Sequence, residues 1–97
     1  ILQDVCEVFE KDLQVVKSKK RDREIVTCRQ IAFYVSRLKT FDSLKNIGYV
    51  IGGRDHTTVI HSCQVIQDLF DTNNQQFLIK WNHYLDNSKL FTKADFQ

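Results

Sequence analysis

Apolar residues return every third or fourth position along most of the chain and nowhere alternate with polar ones, so the sequence predicts helices and no strands. Ile1, Leu2, Val5, Val8 and Phe9 form one stripe over residues 1–10. Asp12 is placed to cap a short second helix carrying Leu13, Val15 and Val16. Thr27-Cys28-Arg29-Gln30 fits a capping box, which predicts that a third helix starts there. Its buried stripe is Ile31, Val35 and Leu38, with Phe33 and Tyr34 on the flanks, and Thr40-Phe41-Asp42 ends it. Ser43 can cap a fourth helix whose inward positions are Leu44, Ile47, Val50 and Ile51. Gly52-Gly53 stops that helix, because glycine enters left-handed backbone conformations at little cost. Asp55 caps a fifth helix with Val59, Cys63, Ile66 and Phe70 facing inward, and Asn73-Asn74 break it. Phe77, Leu78, Trp81, Tyr84 and Leu85 make a sixth. The expected fold is all-α, a helical domain over residues 1–86 followed by a weakly structured tail, 87–97, with Phe91 and Phe96 as docking points.

Length and composition narrow this picture. A chain of 97 residues, 42% apolar and 27% charged, has the balance of one globular domain and is too short for a multi-domain enzyme. The absence of proline favours uninterrupted helices. No apolar run approaches a membrane span, and the first residues, which begin at Ile1, lack the basic-then-apolar order of a signal peptide. Cys6, Cys28 and Cys63 are odd in number and far apart, which matches neither a metal knuckle nor a disulfide framework. Buried free thiols in a reducing, cytoplasmic compartment are the expectation.

Charge changes the picture more. The net charge of +2 hides an uneven spread: residues 17–29 hold Lys17, Lys19, Lys20, Arg21, Arg23 and Arg29 against only Asp22 and Glu24. Such a run is either a solvated loop or a phosphate-binding arm, and by itself the solvated reading is the commoner one.

The segment from Ser43 to Phe70 decides between them. Two short helices joined across Gly52-Gly53-Arg54-Asp55 have the dimensions of a helix-turn-helix, here spanning 43–70. Gly48, lacking a side chain, lets the second helix cross the first closely. The second helix opens Asp55-His56-Thr57-Thr58, polar groups off its buried stripe that are expected to face outward. In such motifs that end of the second helix enters the major groove of duplex DNA and offers donors, acceptors and methyl groups to base edges.

The run Gly52-Gly53-Arg54-Asp55-His56-Thr57-Thr58-Val59-Ile60-His61, with Ser43-Leu44, Ile47-Gly48, Arg29-Gln30 and the upstream basic run, resembles the carboxy-terminal DNA-binding domain (domain IV) of the bacterial DnaA replication-initiator family. The resemblance covers about residues 1–70 and implies a compact helical fold of the Trp-repressor type, with double-stranded DNA at replication-origin boxes as the partner. It implies base contacts by Arg21 in the minor groove and by Asp55, His56, Thr57 and Ile60 in the major groove. Backbone contacts are implied for Lys19, Arg23, Arg29, Gln30, Ser43, Leu44, Arg54 and Thr58. The residue chemistry agrees: a carboxylate accepts from a cytosine amino group, imidazole and hydroxyl serve base edges, and a threonine methyl suits thymine. The chain departs from the family at Cys28, where proline is common, at Gln64-Val65, where a basic pair is common, and over 73–97.

Other readings find less support. The only glycines are Gly48, Gly52 and Gly53, so no phosphate-cradling G-x-x-x-x-G-K-[ST] loop exists, and no nucleophile has a base at motif spacing. The expectation is a non-enzymatic domain needing no cofactor or metal, located in the cytoplasm on the bacterial nucleoid, with an ATPase domain or other protein as a possible partner if the chain is a fragment. His56 and His61, five apart, do not chelate one metal on a helix. Two alternatives stay open: a stand-alone transcriptional regulator of the same fold, and a helical adaptor that binds protein through Phe77, Trp81 and Tyr84.

Overall fold

The structure, a computed structural model, describes residues 1–97 and contains helices and no strands. The helices are α1 (Leu2–Val8), α2 (Leu13–Lys17), α3 (Arg23–Lys39), α4 (Leu44–Val50), α5 (His56–Asp71) and α6 (Gln75–Asn87), followed by a single 3-10 turn, Lys93–Phe96. The caps expected from short polar residues are present. Asp12 accepts from the Val15 amide, Ser43 from that of Asn46 and Asp55 from that of Thr57, each satisfying an amide that the helix itself leaves unpaired. Asn73, at φ 55°, and Asn74, which caps α6, make the break between α5 and α6.

α3 is the centre of the molecule and packs against α1, α2, α4 and α5. Ile31, Ala32 and Phe33 follow one another and are all fully buried, which a helix allows only when neighbours enclose most of its circumference. Phe33 therefore belongs to the core rather than to a flank. Leu38, expected inside, is 52% exposed. Ile31 and Val35 are buried as expected, and the buried surface extends through Arg29, Ala32 and Ser36 rather than to Leu38.

The start of α3 also differs from expectation. The helix begins at Arg23 with Asp22 as its N-cap, and Thr27 lies inside it, its hydroxyl donating back to the Arg23 carbonyl at 2.9 Å. The capping box at Thr27 does not form. Starting one turn earlier brings Ile25 and Cys28 onto the core at i, i+3 spacing, and that burial outweighs two local hydrogen bonds.

Residues 88–97, whose only regular element is the 3-10 turn, are tied back to the domain, with Phe91 and Phe96 as the docking points. The buried Asp4 carboxylate on α1 accepts from the Tyr84 hydroxyl at 2.9 Å, the Ser88 hydroxyl at 2.6 Å and the Lys89 amide at 3.0 Å. Phe96 meets Trp81 edge-on at 5.0 Å, Phe91 meets Phe96 at 5.8 Å, and the Lys39 ammonium lies 4.6 Å above the Phe96 ring. Trp81, Phe77 and Tyr84 face the core, so the surface imagined for a protein-binding adaptor is already covered by this chain. All three cysteines are free and buried, and burial pushes the Cys28 thiol up to about 11. No helix is long and apolar enough to cross a membrane.

Candidate nucleic-acid interface

The α4–α5 corner rests on its glycines. Gly52 and Gly53 have φ of +88° and +65°, which side-chain-bearing residues rarely adopt. Gly48 serves a different purpose: a Cβ there would stand 2.2 Å from the Arg54 carbonyl oxygen and 3.3 Å from Val59, so its absence lets the turn and α5 lie directly against α4. The Arg54 amide donates to the Gly48 carbonyl at 2.7 Å, fixing that approach. α5 then buries Val59, Cys63 and Ile66 on α3 and turns Asp55, His56, Thr57 and Thr58 to solvent.

At the tip of α5 one carboxylate oxygen of Asp55 accepts from the Thr57 amide at 3.0 Å and lies 2.8 Å from Nδ1 of His56. The amide bond, with the neighbouring imidazole, holds the Asp55 carboxyl below its usual range, so it is a carboxylate at neutral pH. Both side chains stay more than half exposed, 64% for Asp55 and 59% for His56.

The cationic run folds into a short arm, Ser18–Asp22, between α2 and α3. It lies beside α5 rather than on the far side of the domain. Lys19 and Arg21 from the arm, Arg29 and Gln30 from α3, Arg54 from the turn, and Thr58 and His61 from α5 line one open groove of about 540 Å³. No carboxylate lines it. Glu24 is drawn away by a 2.7 Å ion pair with Lys11 on another face. Four cations without acidic neighbours concentrate positive potential in a concavity beside an outward-facing polar helix end, an arrangement that attracts a polyanion.

Two of these cations are also structural. Arg29 is 8% exposed; its Nε donates to the Val16 carbonyl at 2.8 Å and its Nη2 to those of Ser18 and Lys20 at 2.8 and 3.0 Å. Arg54 donates through Nη1 to the carbonyls of Lys17 and Ile51 at 3.0 and 2.9 Å, and through Nη2 to that of Ser18. Burial lowers the pKa of both guanidiniums, and for Arg29 the nearby Arg54 lowers it further, yet both stay charged because the carbonyl dipoles compensate them.

The remaining singled-out residues, Asp55, His56 and Thr57 among them, are not in the lining of this groove. Arg23 is exposed at the first position of α3, while Ser43, exposed, and Leu44, half-buried, form the start of α4. Ile60 is 42% exposed on α5. His61, which was not among the contact residues implied by the resemblance, belongs to the groove; its place three residues after Thr58 on the same helix face was the available signal.

Comparison with known protein families matches residues 1–66 to the bacterial DnaA protein helix-turn-helix. Among curated relatives, the chromosomal replication initiator protein DnaA of Flavobacterium psychrophilum is 44% identical over 71 residues, covering 73% of this chain and 15% of that protein. Its counterpart in Roseiflexus castenholzii is 41% identical over 73 residues, covering 75% of this chain and 15% of the relative. That of Lacticaseibacillus casei is 47% identical over 73 residues, covering 75% and 16%. The matched region is thus about one-sixth of the length of these relatives.

Proposed function

Because the chain belongs to the bacterial DnaA helix-turn-helix family, we propose that it binds double-stranded DNA in a sequence-dependent manner, with the first turns of α5 in the major groove and the basic arm in the adjacent minor groove. In this reading Asp55, His56, Thr57 and Ile60 meet base edges and Arg21 reads the minor groove. Lys19, Arg23, Arg29, Gln30, Ser43, Leu44, Arg54 and Thr58 lie along the phosphates, which hold the protein in register. The relatives are chromosomal replication initiator proteins, which supports replication initiation as the process; on this reading the duplex is a replication-origin box on the bacterial nucleoid.

One observation carries the proposal. The arm, through Lys19 and Arg21, and α5, through Thr58 and His61, line the same carboxylate-free groove, and the exposed Asp55, His56 and Thr57 stand immediately before Thr58 in α5 and its cap, which supports a rigid duplex meeting both at once. The exposed Asp55 carboxylate suits a cytosine amino group, and the threonine methyls suit thymine.

The test is selection of bound sequences from a pool of random duplexes by the unaltered chain, followed by affinity measurements on the selected duplex and a scrambled one. Selection should yield one short motif. His56→Ala should weaken the selected duplex by ~1–3 kcal/mol and the scrambled one little. Equal losses on both duplexes, or a pool that never converges, would remove base reading from the account.

A further inference from the structure

The hydrogen bonds of the two groove arginines point inward to the protein's own backbone, and their targets are not scattered. Arg29 reaches the carbonyls of Val16, Ser18 and Lys20, and Arg54 those of Lys17, Ser18 and Ile51. Every carbonyl but that of Ile51 belongs to the end of α2 or to the arm, and both guanidiniums converge on Ser18. Neither arginine is paired with a carboxylate. Two like charges therefore sit side by side, held by carbonyl dipoles and by nothing else of opposite charge. Arg54 starts from the α4–α5 turn and Arg29 from α3, so the arm is tied to both elements that carry the rest of the groove.

The double-glycine turn is shaped around this tie. A Cβ on Gly52 would stand 2.0 Å from Nη1 of Arg54 and 2.3 Å from the Lys17 carbonyl oxygen, closing the passage through which the guanidinium reaches the arm. The arm has few other restraints. Its own bonds are local: the Ser18 hydroxyl donates to Val15 and accepts from the Lys20 amide.

We infer that Arg29 and Arg54 are positioning residues that latch the basic arm against the helix-turn-helix, so that the contribution of Arg21 to duplex binding depends on them. This rests on the DNA-binding reading only for its second half; the latch itself is a property of the free protein. A lysine keeps the charge at either position but concentrates its donors on one nitrogen, which cannot reach carbonyls lying in two directions as the planar fork does.

The test uses Arg54→Lys and Arg29→Lys, with circular dichroism and a melt to establish folding; Arg54, half-buried, serves if the Arg29 variant does not fold. Without DNA, trypsin cleavage within 19–23 should quicken by ~5-fold or more over cleavage elsewhere, and the heteronuclear NOE of residues 18–22 should fall, because a released loop opens more often. With the selected duplex, Arg21→Ala should weaken binding at least ~5-fold in the unaltered chain and less than ~2-fold in the Arg54→Lys background, the non-additivity of coupled residues. Unchanged trypsin rates and NOE values in the folded variants overturn the latch. A loosened arm with the same Arg21→Ala loss in both backgrounds overturns the positioning role. A loosened arm in a protein whose unaltered form binds no duplex upholds the latch and sinks the DNA reading instead.

Discussion

Arg21 is the residue whose role is cleanest to isolate. It is exposed in the groove and stands free of carboxylate partners, so replacing it removes a cation without disturbing a fold contact. The minor groove distinguishes A·T from G·C pairs and little else. Sequences selected by the Arg21→Ala variant should therefore lose A·T preference at one flank of the motif and keep the remainder. A selected profile identical to that of the unaltered chain would return the arm to a solvated loop. At this scale the sequence was legible wherever a residue acts on its immediate neighbours: Asp12, Ser43 and Asp55 cap the helices their positions predict. It was not legible for Arg29 and Arg54, because their partners are backbone carbonyls, which carry no residue identity and are assembled only by the fold.

At the scale of elements, periodicity located all six helices and misplaced the front of α3. Thr27 carries a strong local start signal, but Ile25 and Cys28 are one turn apart on the core-facing side, and burial decided the boundary. The polar tie of the tail was illegible for a related reason. Nothing near residues 87–97 announces that Asp4, on the first helix, will receive the Ser88 and Lys89 groups. Burial alone would raise the Asp4 carboxyl, but the bonds from Ser88, the Lys89 amide and Tyr84 outweigh it and bring the carboxyl below its ordinary 3.8. The unfolded chain thus binds this proton more readily than the folded one. The stability Asp4 contributes is present above the ordinary carboxylate value and is lost as pH falls through the lowered one. Asp4→Asn should destabilise the protein by ~1.5–3 kcal/mol at neutral pH, the range for hydrogen bonds to a charged group. It should also flatten the acid limb of stability measured by denaturant titration between pH 5 and pH 2. If the variant retains the full acid loss, the carboxylate at the base of the tail is not its source.

Over the whole molecule, a net charge of +2 is too small to mark a DNA-binding protein, and the partition of charge matters more. Lys11 neutralises Glu24 on one face while Lys19, Arg21, Arg29 and Arg54 share a groove on another. That separation is a tertiary result; the sequence showed the cationic run and the polar end of α5 but not that α3 would bring them to one side. Neutralising ~6 phosphates should give a log–log slope of affinity against salt near ~−5 on the selected duplex, measured between 50 and 200 mM salt. A slope near zero would mean that the groove does not follow the phosphates.

The common side shared by the arm and α5 is the premise of all these expectations, and amide chemical-shift mapping tests it in one titration. On adding the selected duplex to the isotope-labelled chain, the account predicts that residues 18–22 and 55–61 shift together, with α6 and residues 88–97 almost unmoved. Shifts concentrated on α6 and the tail, or on only one of the two predicted segments, would contradict it.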